Sequence, residues 1–306
     1  MSRLYEVLTG ATDEQRRRGA VPPRVTQPEL ISLDEPPPEL IKTAQGLSEV
    51  TAAETEETVD REEARSVTMR ASPASRLIAL TNPNSLGAEK FRVLVTRLDH
   101  LRKQRPLKSL QVISSVIAEG KTVLAGNLAV TLAKYLGDRT LLIGGDLRRP
   151  TLGSLFGLNE LRGLSDWWFG QDDEIAHFLY GLDEMPLWFM PAGKPCERPS
   201  EILQSARLTR AFAQLTAWFD WIVVDSTPMV PIVDANLWSR LVDGALLVVR
   251  EGVTPVKALK RGLQALDHPK LIGVVVNEAS DFDQAGYEGQ YYHSVEQAQR
   301  RPPKDR

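Results

Sequence analysis

Leu110-Gln111-Val112-Ile113-Ser114-Ser115-Val116-Ile117-Ala118-Glu119-Gly120-Lys121-Thr122 is the stretch on which the reading of this chain turns. An apolar run of strand length, Leu110 to Ile113, enters a short loop, and the loop enters a segment in which Leu124, Leu128, Leu132 and Leu136 recur every four residues. That spacing lines one face of a helix, and Gly137 stands where a C-terminal cap is expected. Strand, loop and helix in this order suit the cradling of a phosphate. A tight turn at Gly120 aims backbone N–H groups and the helix N-terminus at an anion, Lys121 adds a point charge, and the Thr122 hydroxyl can ligate Mg²⁺. The pattern G-x-x-x-x-G-K-[ST] is met except at its first glycine, where Ser115 stands.

Two more strand ends carry acidic groups. Trp221-Ile222-Val223-Val224-Asp225 is an apolar run closed by a carboxylate, with Ser226, Thr227 and Pro228 as the turn after it. Thr140 to Ile143 leads through Gly144 and Gly145 to Asp146, Arg148, Arg149 and Pro150. With Ala245 to Val249 and Leu271 to Val276, five strand-like runs alternate with helix-like stretches. Alternation of this kind predicts an α/β fold, a doubly wound, mostly parallel sheet with helices on both faces. In such sheets ligands bind beyond the carboxyl ends of the strands. Three functional strand ends in one chain therefore predict a P-loop nucleotide site in which Asp225 points at the metal held by Thr122.

Composition bounds the alternatives. The 306 residues are 42% hydrophobic and 25% charged, as in ordinary globular proteins. A formal net charge of −3 gives no basic footprint for nucleic acid. Cys196 is the single cysteine, and the four histidines, His100, His177, His268 and His293, are scattered, so neither a disulfide nor a metal cluster is expected. No apolar run nears the roughly 18 residues of a membrane span, which predicts a cytoplasmic chain without a direct membrane span. Residues 1–75 hold no Phe or Trp, several prolines and the acidic run Glu54 to Glu63, the composition of a disordered or weakly structured segment. A folded domain is expected over 76–280 and a flexible tail over 281–306. Trp167, Trp168, Trp218, Trp221 and Trp238 are read as packing residues.

Taken together, these residues resemble the bacterial tyrosine kinases of capsule and exopolysaccharide synthesis, relatives of the deviant-Walker positioning ATPases. The resemblance runs from about Arg76 to Tyr292. It rests on the Ser114–Thr122 loop, on Leu142–Pro150, on Phe219-Asp220 to Pro228, on Gly273 to Asn277, and on a helix bearing Glu89 and Arg92 of a Glu-x-x-Arg-x-x-Arg motif. It implies ATP and Mg²⁺ as cofactors, with Ser115, Val116, Ile117, Ala118, Glu119, Gly120, Lys121, Thr122 and Val123 around the phosphates. Lys121, Asp146 and Asp225 would be catalytic, and Thr122, Asp146 and Asp225 would hold the metal. Asn277 would contact the adenine, and Tyr287, Tyr291 and Tyr292 would be the phosphoacceptors. It further implies a homo-oligomer recruited to the inner face of the cell membrane by a transmembrane polysaccharide co-polymerase, or chain-length, subunit.

Four positions depart from the family pattern. Gly144 replaces the first of two Walker aspartates, Ala118 a glycine of the loop, Thr227 a proline, and Val95 the last arginine of the helix motif. The loss at Gly144 favours as an alternative a catalytically weakened ATP-binding regulatory scaffold of the same pathway. A positioning-type ATPase would need a second lysine upstream of the glycines, where Val116, Ile117 and Ala118 stand.

Overall fold

The computed structural model describes residues 65–68, 75–171, 174–182, 185–230, 233–266 and 270–279. Strands β1 (Arg65–Val67), β2 (Ser109–Ser114), β3 (Thr140–Gly144), β4 (Tyr180–Leu182), β5 (Leu187–Met190), β6 (Trp221–Pro228), β7 (Gly244–Arg250) and β8 (Leu271–Asn277) form one sheet in the order β1-β4-β5-β3-β6-β2-β7-β8. Every neighbouring pair is parallel except β4 and β5, so β1 and β4 run against the other six. The five strands read from the sequence are all present, each longer by one to four residues. The strand β1 precedes residue 76, so the sheet takes an edge strand from the segment expected to be weakly structured.

Helices cover both faces. Among them are α1 (Ile78–Thr81), α2 (Leu86–Arg102), α3 (Lys121–Thr131), α4 (Leu152–Phe156), α5 (Leu164–Phe169), α6 (Pro199–Leu203), α7 (Ala206–Trp218), α8 (Asp234–Leu241) and α9 (Val256–Ala265). The central strands β2, β3 and β6 are buried along their whole length, as parallel strands covered on both sides must be. Their side chains alternate between two cores. Leu142, Trp221 and Val223 pack with Leu124 and Leu128 of α3, whereas Leu141, Ile143, Ile222 and Val224 pack with Phe212 of α7 and Trp238 of α8.

The expected leucine stripe is real, with one modification. Leu124, Leu128 and Leu132 are buried, but Leu132–Leu136 form a π turn that ends at Gly137, φ 76°. A π turn takes more residues per revolution, so a step of four falls short of the buried line and Leu136 stays half-exposed. In α2, Ser85 caps the first turn by accepting from Ala88 N at 3.2 Å, and Glu89 pairs with Arg92. Val95 is fully buried and packs in the core with Leu77 and Leu98. An arginine there would have to leave the core, so Val95 is a packing residue.

Candidate nucleotide site

The register of the central strands assembles the site. Asp225 on β6 is the lateral neighbour of Gly144 on β3 and of Val112 on β2, so it stands between the two strands whose ends carry the loops. Beyond β2 the chain turns through Ala118 (φ 62°) and Gly120 (φ 96°) into α3. The left-handed backbone at Gly120 favours glycine, and a Cβ there would displace the Asn277 amide from its place against the loop. The N-terminus of α3 has no side-chain cap, which leaves its first N–H groups for an anion.

The carboxylates and the lysine converge. Lys121 Nζ lies 3.4 Å from Asp225 Oδ1, 3.6 Å from Asp146 Oδ2 and 3.4 Å from Thr122 Oγ1. Asp225 is 1% exposed. Burial raises its carboxyl above the ordinary range, opposed by the charge of Lys121 and a hydrogen bond with Thr122 and reinforced by the negative charge of Asp146. The hydroxyls of Ser115, Ser226 and Thr227 are buried with no hydrogen-bond partner among the described residues. Carboxylate and hydroxyl oxygens beside one ammonium, Asp146, Asp225 and Thr122 about Lys121, suit a triphosphate with Mg²⁺.

The strand-end loop of β3 is held from three sides. Gly145 N donates to Asp225 O at 2.8 Å, Trp238 Nε1 donates to Gly145 O at 3.0 Å, and Cys196 N donates to Leu147 O at 2.8 Å. Arg148 forms a two-pronged ion pair with Asp234 at the start of α8, Nε–Oδ2 2.7 Å and Nη2–Oδ1 3.3 Å. Arg149 N donates to Asp146 Oδ1 at 3.0 Å, which fixes that carboxylate toward Lys121. A cleft of about 450 Å³ opens beside Asp146 and Asp225, walled by Gly144, Arg162, Asp166 and Lys194. At Gly144 a Cβ would meet Ala192 N at 2.8 Å, so the backbone after β5 has closed on the place where a side chain would emerge.

The structure thus brings together Lys121, Thr122, Asp146 and Asp225. Asn277 reaches the loop from the end of β8, donating from Nδ2 to Glu119 O at 2.9 Å. Tyr287, Tyr291 and Tyr292 lie outside the described residues. Thr254 and Asp234 are supporting groups that sequence reasoning missed, as are the anchoring roles of Glu119, read only as a loop residue, and of the Trp238 indole, read only as packing. Asp234 and Thr254 carry no local signal, because their partners are 86 and 135 residues away.

No family model matches the chain. It is 30% identical over 217 residues to the tyrosine-protein kinase YwqD of Bacillus subtilis (strain 168), which covers 70% of this chain and 91% of YwqD. It is 31% identical over 228 residues to the succinoglycan biosynthesis transport protein ExoP of Rhizobium meliloti (strain 1021), covering 70% of this chain but only 29% of ExoP. The kinase domain of the Escherichia coli tyrosine kinase ETK superposes with a TM-score of 0.60 at 26% identity, over 69% of this chain and 84% of that domain. With the P-loop, the paired carboxylates and the parallel sheet in place, the chain belongs to the family of bacterial tyrosine kinases.

Proposed function

We propose that this chain binds ATP with Mg²⁺ and acts as a protein-tyrosine autokinase in exopolysaccharide or capsule synthesis. The observation that carries the reading is the ammonium of Lys121 held between Asp146 and Asp225 at the mouth of an uncapped helix. Phosphoryl transfer asks little covalent chemistry of the protein and depends on positioning and charge. Loop N–H groups and Lys121 would neutralise the phosphate oxygens, and Lys121 would exchange its present carboxylate contacts for them. Thr122, Asp146 and Asp225 would hold Mg²⁺, which would supply charge neutralisation for the phosphates when bound. Asn277 stands beside the loop for the adenine, and Tyr287, Tyr291 and Tyr292 are the proposed acceptors.

Gly144 favours a second reading, a weakened kinase that regulates through nucleotide binding. Loss of one preorganised electrostatic group costs about 10²- to 10³-fold in rate. Incubation of the purified protein with γ-labelled ATP and Mg²⁺ distinguishes the two. Label on the tail tyrosines that vanishes in Lys121→Met supports the kinase; calorimetric ATP binding without any transfer supports the regulator. No helix among the described residues is long and apolar enough to cross a membrane. The family resemblance supports a transmembrane co-polymerase subunit as the proposed partner, and the proposed assembly is a homo-oligomer.

A further inference from the structure

Two left-handed residues, Ala118 and Gly120, flank Glu119 in the phosphate loop. At Ala118, which is not a glycine, such backbone persists only where its surroundings over-determine it. Glu119 supplies that constraint. Its side chain is buried, with the residue 2% exposed, and both carboxylate oxygens are engaged. Val116 N donates to Oε2 at 2.9 Å, which closes the loop on itself, and the Thr254 hydroxyl donates to Oε1. That hydroxyl in turn accepts from Arg250 N at 2.7 Å, so its proton is directed at the carboxylate. Asn277 Nδ2 bonds the carbonyl of the same glutamate. The loop is therefore splinted both to the turn between β7 and α9 and to the end of β8.

We propose that Glu119 is a positioning residue for the nucleotide: its buried carboxylate, oriented by Thr254, sets the loop in the shape that receives the phosphates. The inference rests on the nucleotide reading above and deepens it. A buried carboxylate next to an anion site is unfavourable unless its oxygens are hydrogen-bonded, and here each oxygen accepts from a donor, the two coming from separate segments. Preorganisation of this kind acts on binding, because a loop already ordered loses less entropy when the ligand arrives. Glutamine at 119 keeps the size of the side chain but presents one amide donor against one of the two donors it must accept.

Glu119→Gln is expected to raise the ATP dissociation constant, and the KM for ATP if transfer is measured, about tenfold while kcat changes less than threefold; tenfold corresponds to about 1.4 kcal/mol. Thr254→Val, which leaves the loop sequence intact, should show part of the same loss, and Thr254→Ser should restore wild-type affinity. Calorimetry with ATP and Mg²⁺ on the full chain reads all three. Wild-type affinity in Glu119→Gln and Thr254→Val, with Lys121→Met losing it, overturns this inference alone. A kcat loss at constant KM overturns it as well, and absence of binding by the wild type overturns it together with the nucleotide reading.

Discussion

The loops after β2 and β3 both depart from the family pattern, and the structure treats the two departures in opposite ways. In the first, Ala118 takes a left-handed backbone that glycine would hold without strain, and its exposed side chain meets no demand of packing. In the second, Gly144 lacks a carboxylate, and the Ala192 backbone occupies the space that a Cβ would need. One departure is a local conformational cost of order 1 kcal/mol in a loop otherwise intact. The other removes a chemical group and is built into the packing of the sheet edge. A substitution that costs only strain is reversible by mutation; one around which backbone has closed is not.

The largest contrast should come from Lys121→Met, which leaves Asp146 and Asp225 facing each other without a cation. Nucleotide binding and any phosphoryl transfer should fall to background in filter-binding and autoradiography. Breaking a buried pair also costs about 3 kcal/mol, readable in urea unfolding. The effect has a pH signature. Burial holds the Asp225 carboxyl above its ordinary value, so the folded chain binds that proton more tightly than the unfolded one. Stability from this group is complete below the ordinary carboxylate range and is lost as pH rises through the raised value. Lys121 opposes the rise, so its removal should move the loss to higher pH and deepen it. The gap between variant and wild type should then be wider at pH 8 than at pH 4, and Asp225→Asn should narrow the difference, leaving the part that comes from Asp146.

Gly144→Asp separates chemistry from packing. If only the carboxylate were missing, the substitution would raise transfer by orders of magnitude. The 2.8 Å approach to Ala192 N predicts instead a loss of about 1–3 kcal/mol in stability with no gain in transfer. The smaller change Gly144→Ala should show most of the same loss, since the conflict begins at Cβ; a Gly144→Ala protein as stable as wild type, or a restored activity in Gly144→Asp, would break the contrast drawn here. The smallest effect belongs to the other loop. Ala118→Gly should stabilise by about 0.5–1 kcal/mol in thermal melts, since relief of left-handed strain exceeds the entropy glycine adds to the unfolded chain.

Much of this was legible in the sequence. Continuous apolar runs ending in Asp225 and Asp146 declared buried parallel strands, and Gly120-Lys121-Thr122 after a strand declared the loop. The strands β1, β4 and β5 escaped because three or four residues carry too little periodicity to separate strand from loop. Val95 stood out in the sequence only as a missing arginine, and its burial on the inner face of α2 explains what it does instead. Glu119 was read as one more residue of the phosphate loop. Its role as a splint depends on Thr254, whose nearness follows from β7 lying next to β2 in the sheet.

By itself the chain's order of residues determined the five longer strands, the parallel class of the sheet and the loop-to-helix passage after β2, and it nominated the phosphate and metal groups, because these follow from local periodicity and from residue chemistry at strand ends. Tertiary structure alone decided which carboxylate is desolvated, what anchors the strand-end loops, and that a glycine at 144 is enclosed by backbone. Those outcomes depend on which strands become neighbours, and strand order is settled by burial across the whole domain rather than within any one segment.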